Sequence, residues 1–162
     1  MKQPDPLNRV LATNRLARRN FEVIEELECG MVLRGSEVKA LRESRARLDE
    51  AYGRVIDDEL WLLGLHIQPY SQAHGVGSHE PDRPRKLLAH KGQIERWRAI
   101  TEQQRLTLVP LELRLSEGRV KVLLGLARGR KAYDKRQVLA RRDADLEARR
   151  AVASALKRRG PP

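Results

Sequence analysis

The chain is short of most things that mark a secreted, metal-stapled or membrane protein. Its 162 residues contain one cysteine, Cys29, which excludes an internal disulfide and any Cys-x-x-Cys zinc knuckle. Aromatic residues make up 4% of it, too few for a sheet that stacks bases in the manner of an RRM-type reader. No window approaches the ~18 continuous apolar residues of a membrane span. The N-terminal MKQPDPLNRV lacks the apolar core of a secretory signal. Neither a P-loop nor a glycine-rich dinucleotide fingerprint occurs, so no nucleotide cradle is supported. The expectation is a soluble cytoplasmic protein in a reducing compartment, with no cofactor and no metal.

What is abundant is positive charge. Lysine and arginine number 33 against 22 aspartates and glutamates, a net charge of +11. Such a surplus implies a polyanionic partner, nucleic acid first and an acidic membrane surface second. The charge is uneven: residues 128–162 carry +8 and residues 1–127 carry +3. The chain therefore divides into a body, 1–127, and a basic tail, 128–162. From Arg128 to Arg142 the apolar residues are Ala132, Tyr133, Val138, Leu139 and Ala140, too few for a packed face, so this stretch is expected to be disordered alone. Leu139, Leu146, Val152 and Leu156 then follow at loosely helical spacings among good helix formers, which reads as a helix that forms on a partner. Composition alone equally allows a tail that only solubilises.

The body is patterned mainly for strands. In TLVPLELRL, Leu111, Leu113 and Leu115 alternate with Glu112 and Arg114. After Ser116-Glu117-Gly118, RVKVLLGLA resumes the alternation through Val120, Val122, Leu124 and Leu126. Two period-two runs around a short glycine-containing turn predict a hairpin, with a bulge or edge at Pro110. A second hairpin is predicted from YGRVI through Asp57-Asp58-Glu59 to LWLLGLHI, whose return strand is apolar on both faces. A strand is expected from Phe21 to Leu27, resuming at Met31 to Leu33 after a bend at Gly30. Ser36 is placed as the cap of a short helix through EVKALRES, and a longer helix spans Gln93 to Gln104, with RKLLAH before it as its own short turn. Gln68 to Asp82 reads as a loop. About six short strands with inserted helices predict a mostly-β fold, a small OB-like antiparallel barrel with a basic C-terminal tail.

Catalytic chemistry is poorly supplied. His66, His74, His79 and His90 show no metal-ligand spacing. Cys29 has no framing motif, and a small half-buried side chain is the better reading. Glu25 and Glu26 would face opposite sides of a strand, and Asp57-Asp58-Glu59 would be solvated in a turn. A non-enzymatic binding protein is the leading reading; a basic nuclease acting through His66, His79 or His90 is the rival from another class.

Several longer motifs occur in order: NRLARRNFEV, ECG, GSEVKALR, HIQPY, RPRKLLAHKGQI, TLVPL and KVLLGLARGRKAYDKR. Together they closely resemble the SmpB (small protein B) family of bacterial tmRNA-binding proteins, over about Asn14 to Arg150. The resemblance implies an OB-like body that binds the tRNA-like domain of tmRNA. It implies delivery, with elongation factor Tu attached through the tmRNA, to the A site of a stalled ribosome. The tail, 128–162, would be disordered in solution and would enter the decoding centre and mRNA channel as a helix. A general OB-type RNA-binding or ribosomal protein is the alternative.

By the same resemblance, Asn14, Arg15, Glu28, Leu88, Lys121, Arg128, Arg130 and Lys131 are RNA-binding positions. Tyr133, Asp134, Lys135 and Arg136 form the tail motif read at the decoding centre. Lys121 could otherwise be a solvated lysine, Glu28 a plain surface acid, Tyr133 an idle tail aromatic, and Leu88 a core residue. The chain departs from the family pattern at Phe21 (commonly Tyr), Cys29 (Ala), Ser78 (Asn) and Ala89 (Leu).

Overall fold

The computed structural model describes residues 7–43, 46–69, 80–129 and 135–158; for residues 135–141 and 158 it describes the backbone alone. In chain order the elements are β1 (Arg9–Thr13), α1 (Arg15–Asn20), β2 (Phe21–Met31), α2 (Gly35–Arg42), β3 (Ala46–Arg47), β4 (Tyr52–Ile56), β5 (Glu59–Leu63), β6 (His66–Ile67), β7 (Arg85–Leu88), α3 (Lys91–Gln104), β8 (Thr107–Ser116), β9 (Arg119–Gly129) and α4 (Lys135–Arg158).

Two tight turns set the registers. Glu117 and Gly118 have φ of 50° and 78°, and Asp57 and Asp58 have 49° and 62°. Paired positive φ values mark the primed two-residue turns whose twist suits antiparallel strands, and short Asp and Gly tolerate them. They fix Ser116 opposite Arg119 and Ile56 opposite Glu59. The β8–β9 hairpin matches its expectation, with the bulge falling between Pro110 and Glu112.

The fold is mostly β, built on one large antiparallel sheet. Its ladders run from β8 to β4, β5, β7, β2 and β9, and β9 pairs back to β8; β1 lies on the other part of β8. The alternating residues of β8 and β9 that face inward, among them Leu113, Leu115, Val122, Leu124 and Leu126, form the main core with Leu60, Leu62 and Leu87. Trp97 brings α3 against it.

Several expectations change. β2 runs unbroken to Met31, and its bulge lies between Val23 and Glu25 rather than at Gly30. Gly30 is instead where β2 is shared, paired with Leu88 on one side and Lys121 on the other. RKLLAH is strand β7, because inserting it joins β5 to β2 and satisfies both edges. The return strand stops at Leu63: Gly64 turns with φ 75°, where a Cβ would lie 2.6 Å from the Glu50 carbonyl oxygen. His66 and Ile67 pair separately with β3. Helix α2 starts at Gly35 rather than after Ser36, because the Glu37 carboxylate accepts the Arg34 N–H at 2.8 Å. Strands β1 and β3 and helix α1 were not anticipated. Within residues 128–162, helix α4 packs on the body through Ala148 and Val152, while Leu146 and Leu156 are exposed.

Glu37 is fully buried and meets two arginines. Arg85, also fully buried, gives its Nε to Glu37 Oε2 at 2.9 Å, and Arg83 donates to Glu37 Oε1. The remaining Arg85 donors reach the carbonyls of Leu65 and of Pro81, the latter at 3.0 Å. Burial pushes the Glu37 carboxyl up, but the Arg34 N–H and both guanidiniums outweigh it and hold it below the usual carboxylate range.

A Glu37→Gln change leaves two buried guanidiniums uncompensated and should cost about 3–5 kcal/mol of unfolding free energy at neutral pH. Because the folded-state pKa is lowered, this contribution is complete above the ordinary value of 4.5 and fades as pH falls through the folded value. Urea unfolding of both proteins at neutral and acid pH should show a gap that closes in acid; equal midpoints at neutral pH would contradict it.

Candidate nucleic-acid interface

The outward face of the sheet gathers the expected positions by register. Gly30 pairs with Leu88 and Lys121, Lys121 with Arg114, and Arg114 with Val10, so one row crosses five strands. Paired residues point to the same side of a sheet. The next row holds Glu28, Leu123, Glu112 and Thr13. Glu28, Leu88 and Lys121, scattered in sequence, therefore share one face around a glycine. A Cβ at Gly30 would stand 3.4 Å from that of Leu88, so glycine keeps the row shallow between its neighbours.

Leu88 is 53% exposed while Leu87 fills the core, which decides the core-or-surface question for Leu88. Arg114 was missed in the sequence. It donates to Glu112, its Nε at 2.7 Å, and its Nη1 lies 3.8 Å from Glu28 Oε2. Once the turn sets Ser116 opposite Arg119, the position of Arg114 beside Lys121 follows, so the hairpin pattern held the signal. The face carries both signs of charge, which suits shape- and base-selective contacts better than bulk attraction to phosphate.

Asn14 is placed differently from the expectation. It is 2% exposed, and its side chain is spent inside the protein. Its Oδ1 accepts the Ala17 N–H at 3.1 Å, capping α1, and its Nδ2 donates to the carbonyls of Pro110 and Leu48 at 2.9 and 3.2 Å. Neighbouring Arg15 is exposed on α1, and Arg128 is exposed near the end of β9 opposite Glu22. Arg130, Lys131, Tyr133 and Asp134 lie outside the described residues, as does Ser78; Lys135 and Arg136 open α4, where the backbone alone is described.

Cys29 faces the core. Burial, and then the Glu28 carboxylate, pushes its thiol up to about 11 against a smaller opposing pull from Lys121, which does not suit a nucleophile. His66 Nδ1 sits 2.8 Å from Asp82, and His90 is the N-cap position of α3. Glu25 is forked by Arg96 at 2.6 and 2.7 Å, while Glu26 faces Arg18 at 3.8 Å. The Arg96 hydrogen bonds hold the Glu25 carboxyl below its usual range, so this acid belongs to an ion pair tying α3 to β2. Among the described residues no group of three or more potential ligands could hold a metal ion. No described helix is long and apolar enough to cross a membrane.

The family model described as SmpB protein matches residues 11–154 of this chain. This chain belongs to the SmpB family. It is 47% identical over 150 residues to the SsrA-binding protein of Chloroflexus aggregans, covering 93% of this chain and 92% of that one. It is 49% identical over 150 residues to the SsrA-binding protein of Nocardia farcinica, covering 92% of each. A solved chain from the structure called "tmRNA-SmpB: a journey to the center of the bacterial ribosome" superposes with a TM-score of 0.64 at 45% identity, covering 76% of this chain and 87% of that one. The SmpB motifs quoted above fall on defined parts of the fold: GSEVKALR supplies buried Glu37, and RPRKLL supplies Arg83, Arg85 and strand β7.

An Asn14→Ala change removes the α1 cap and leaves buried carbonyls short of a donor, a cost of about 1–3 kcal/mol. Thermal unfolding should shift down, and amides of α1 should exchange faster. Unchanged stability with weakened RNA binding would return Asn14 to the RNA-contacting set.

Proposed function

We propose that this chain is an RNA-binding adaptor of trans-translation. It binds the tRNA-like domain of tmRNA and brings it to the vacant A site of a stalled ribosome, so that the nascent peptide is tagged and the ribosome released. The observation that carries this reading is identity of 45–49% to SsrA-binding proteins and to a chain of a tmRNA–SmpB structure. The closed circuit of strands is read as an OB-like barrel, a common nucleic-acid platform. Elongation factor Tu is a partner through the tmRNA complex, and work on ribosomes places the protein in the cytoplasm.

The parts take distinct roles. Leu88 offers an apolar edge to a base, and Glu28 accepts from base amino or imino groups. Lys121, Arg15 and Arg128 contact phosphate, joined by Arg130 and Lys131 after the last strand. Arg114 aligns Glu28. Asn14 supports the interface by holding α1 under Arg15. In the tail, Tyr133, Asp134, Lys135 and Arg136 meet the decoding centre, and the following segment occupies the mRNA channel as a helix. No step requires the protein to make or break a covalent bond.

A competition gel shift of tmRNA's tRNA-like domain against ordinary tRNA and unstructured RNA at physiological salt tests this function. Equal binding to all three would leave the general RNA-binding alternative in its place. A Lys121→Ala variant should weaken binding to every structured RNA and flatten the slope of log K against log salt by about one. Glu28→Ala should reduce discrimination more than total affinity. Truncation after Ala132 should keep most tmRNA binding and abolish peptide tagging on stalled ribosomes; normal tagging by the truncated protein would reduce the tail to a solubilising segment.

A further inference from the structure

Among the described residues, four other than glycine hold a positive φ. Asp57, Asp58 and Glu117 belong to the two hairpin turns, whose geometry requires it. Arg105 is the fourth and stands alone. It ends α3 in the left-handed conformation, with φ 52° and ψ 42°. The turn is forced: α3 stops at Gln104, Leu106 is buried in the main core, and β8 begins at Thr107. Glycine is the default at such a helix end, because a Cβ in this conformation crowds the following carbonyl oxygen. Arginine lacks the short polar group with which asparagine or aspartate offsets the crowding.

The fold gains nothing visible in return. Arg105 is exposed, and among the described residues its guanidinium has no hydrogen bond and no ion pair. Glu102, one turn back on α3, is exposed and does not pair with it. A residue that is costly to the backbone and idle in the interior is kept for what its side chain meets outside.

Its place in the sheet says what that is. The β8–β9 ladder ends with Thr107 opposite Ala127, so Arg105 stands just beyond that end, on the side of Arg128 and Gly129. Gly129 pairs with Phe21 and Arg128 with Glu22, which brings the basic last turn of α1 to the same end. Asn20, Phe21, Glu102, Leu106 and Thr107 line one cleft there. Arg19, Arg105 and Arg128 are all exposed; the acids beside them are Glu22 and Glu102, and the chain runs on from Gly129 into Arg130 and Lys131.

We infer that Arg105 is a further phosphate-contacting residue of this chain's RNA interface, an arginine held at a glycine position where the body passes into the tail. The inference deepens the function proposed above and rests on it for the identity of the RNA. The ligand is a phosphodiester group, which a guanidinium fork can take through two hydrogen bonds and a neutral residue cannot. The phosphate belongs to tmRNA or to ribosomal RNA, and experiment separates the two. Stability and binding oppose each other at this position.

Arg105→Gly, Arg105→Asn and Arg105→Lys are made in the full chain. Arg105→Gly should unfold at the same or a higher temperature, because it relieves the crowded Cβ. Its affinity for the tRNA-like domain of tmRNA should fall several-fold, and the slope of log K against log salt should flatten by about one. Arg105→Asn, which tolerates the same backbone, should lose as much, whereas Arg105→Lys should keep the slope. Unchanged tmRNA binding with reduced peptide tagging on stalled ribosomes would assign the phosphate to ribosomal RNA. Unchanged binding together with unchanged tagging overturns the inference. A lower unfolding temperature for Arg105→Gly also overturns it, because the side chain would then serve the fold. Unaltered protein that prefers tmRNA, beside an Arg105→Gly variant indistinguishable from it, keeps the proposed function and removes Arg105. Unaltered protein without that preference removes the function, while the change in salt slope still reads the phosphate contact.

Discussion

Three charged side chains meet where α2, β7 and the segment after β6 converge, and much of the body hangs on their balance. Arg85 is fully buried, and a lone guanidinium there would be intolerable without a buried counter-charge. Glu37 supplies it, and Arg83 completes the knot. The donors left over on Arg85 hold the Leu65 carbonyl just before β6 and the Pro81 carbonyl shortly before β7. This anchors β7 between β5 and β2. Without β7 the circuit of ladders would open, and Leu88 would lose its place opposite Gly30.

From that constraint the working surfaces separate. One side of the sheet carries Leu88, Gly30, Lys121 and Arg114 in a single row, with Glu28 beside it. The β4–β5 hairpin turns its apolar outer face toward the tail helix instead. The charge divides unevenly between them, +3 over residues 1–127 and +8 over residues 128–162.

How much of this was legible varied with the range of the interaction. The β8–β9 hairpin and helix α3 were readable because period and turn chemistry are local. Helix α1 was missed because its six residues are too few to show a hydrophobic period, and its signal is the single cap Asn14. Strand β7 was misread because four residues of RKLL look the same in a turn until their neighbours are known. The resemblance placed Glu28, Leu88 and Lys121 together without saying why. Asn14 came with them, yet its carboxamide proved to be bound to the protein's own backbone.

Composition and local pattern by themselves determined the uneven split of charge between residues 1–127 and 128–162 and the mostly-β class, because charge and period two survive without knowledge of distant contacts. The apolar second face of LWLL was visible in the same way, but what covers it was not. Only the tertiary structure decided that α4 lies there, that Gly30 is shared by two strands, and that Arg114 stands beside Lys121. Each of these depends on segments far apart in sequence being brought into one register, and that register is held by closure of the sheet and by the buried Glu37–Arg83–Arg85 knot.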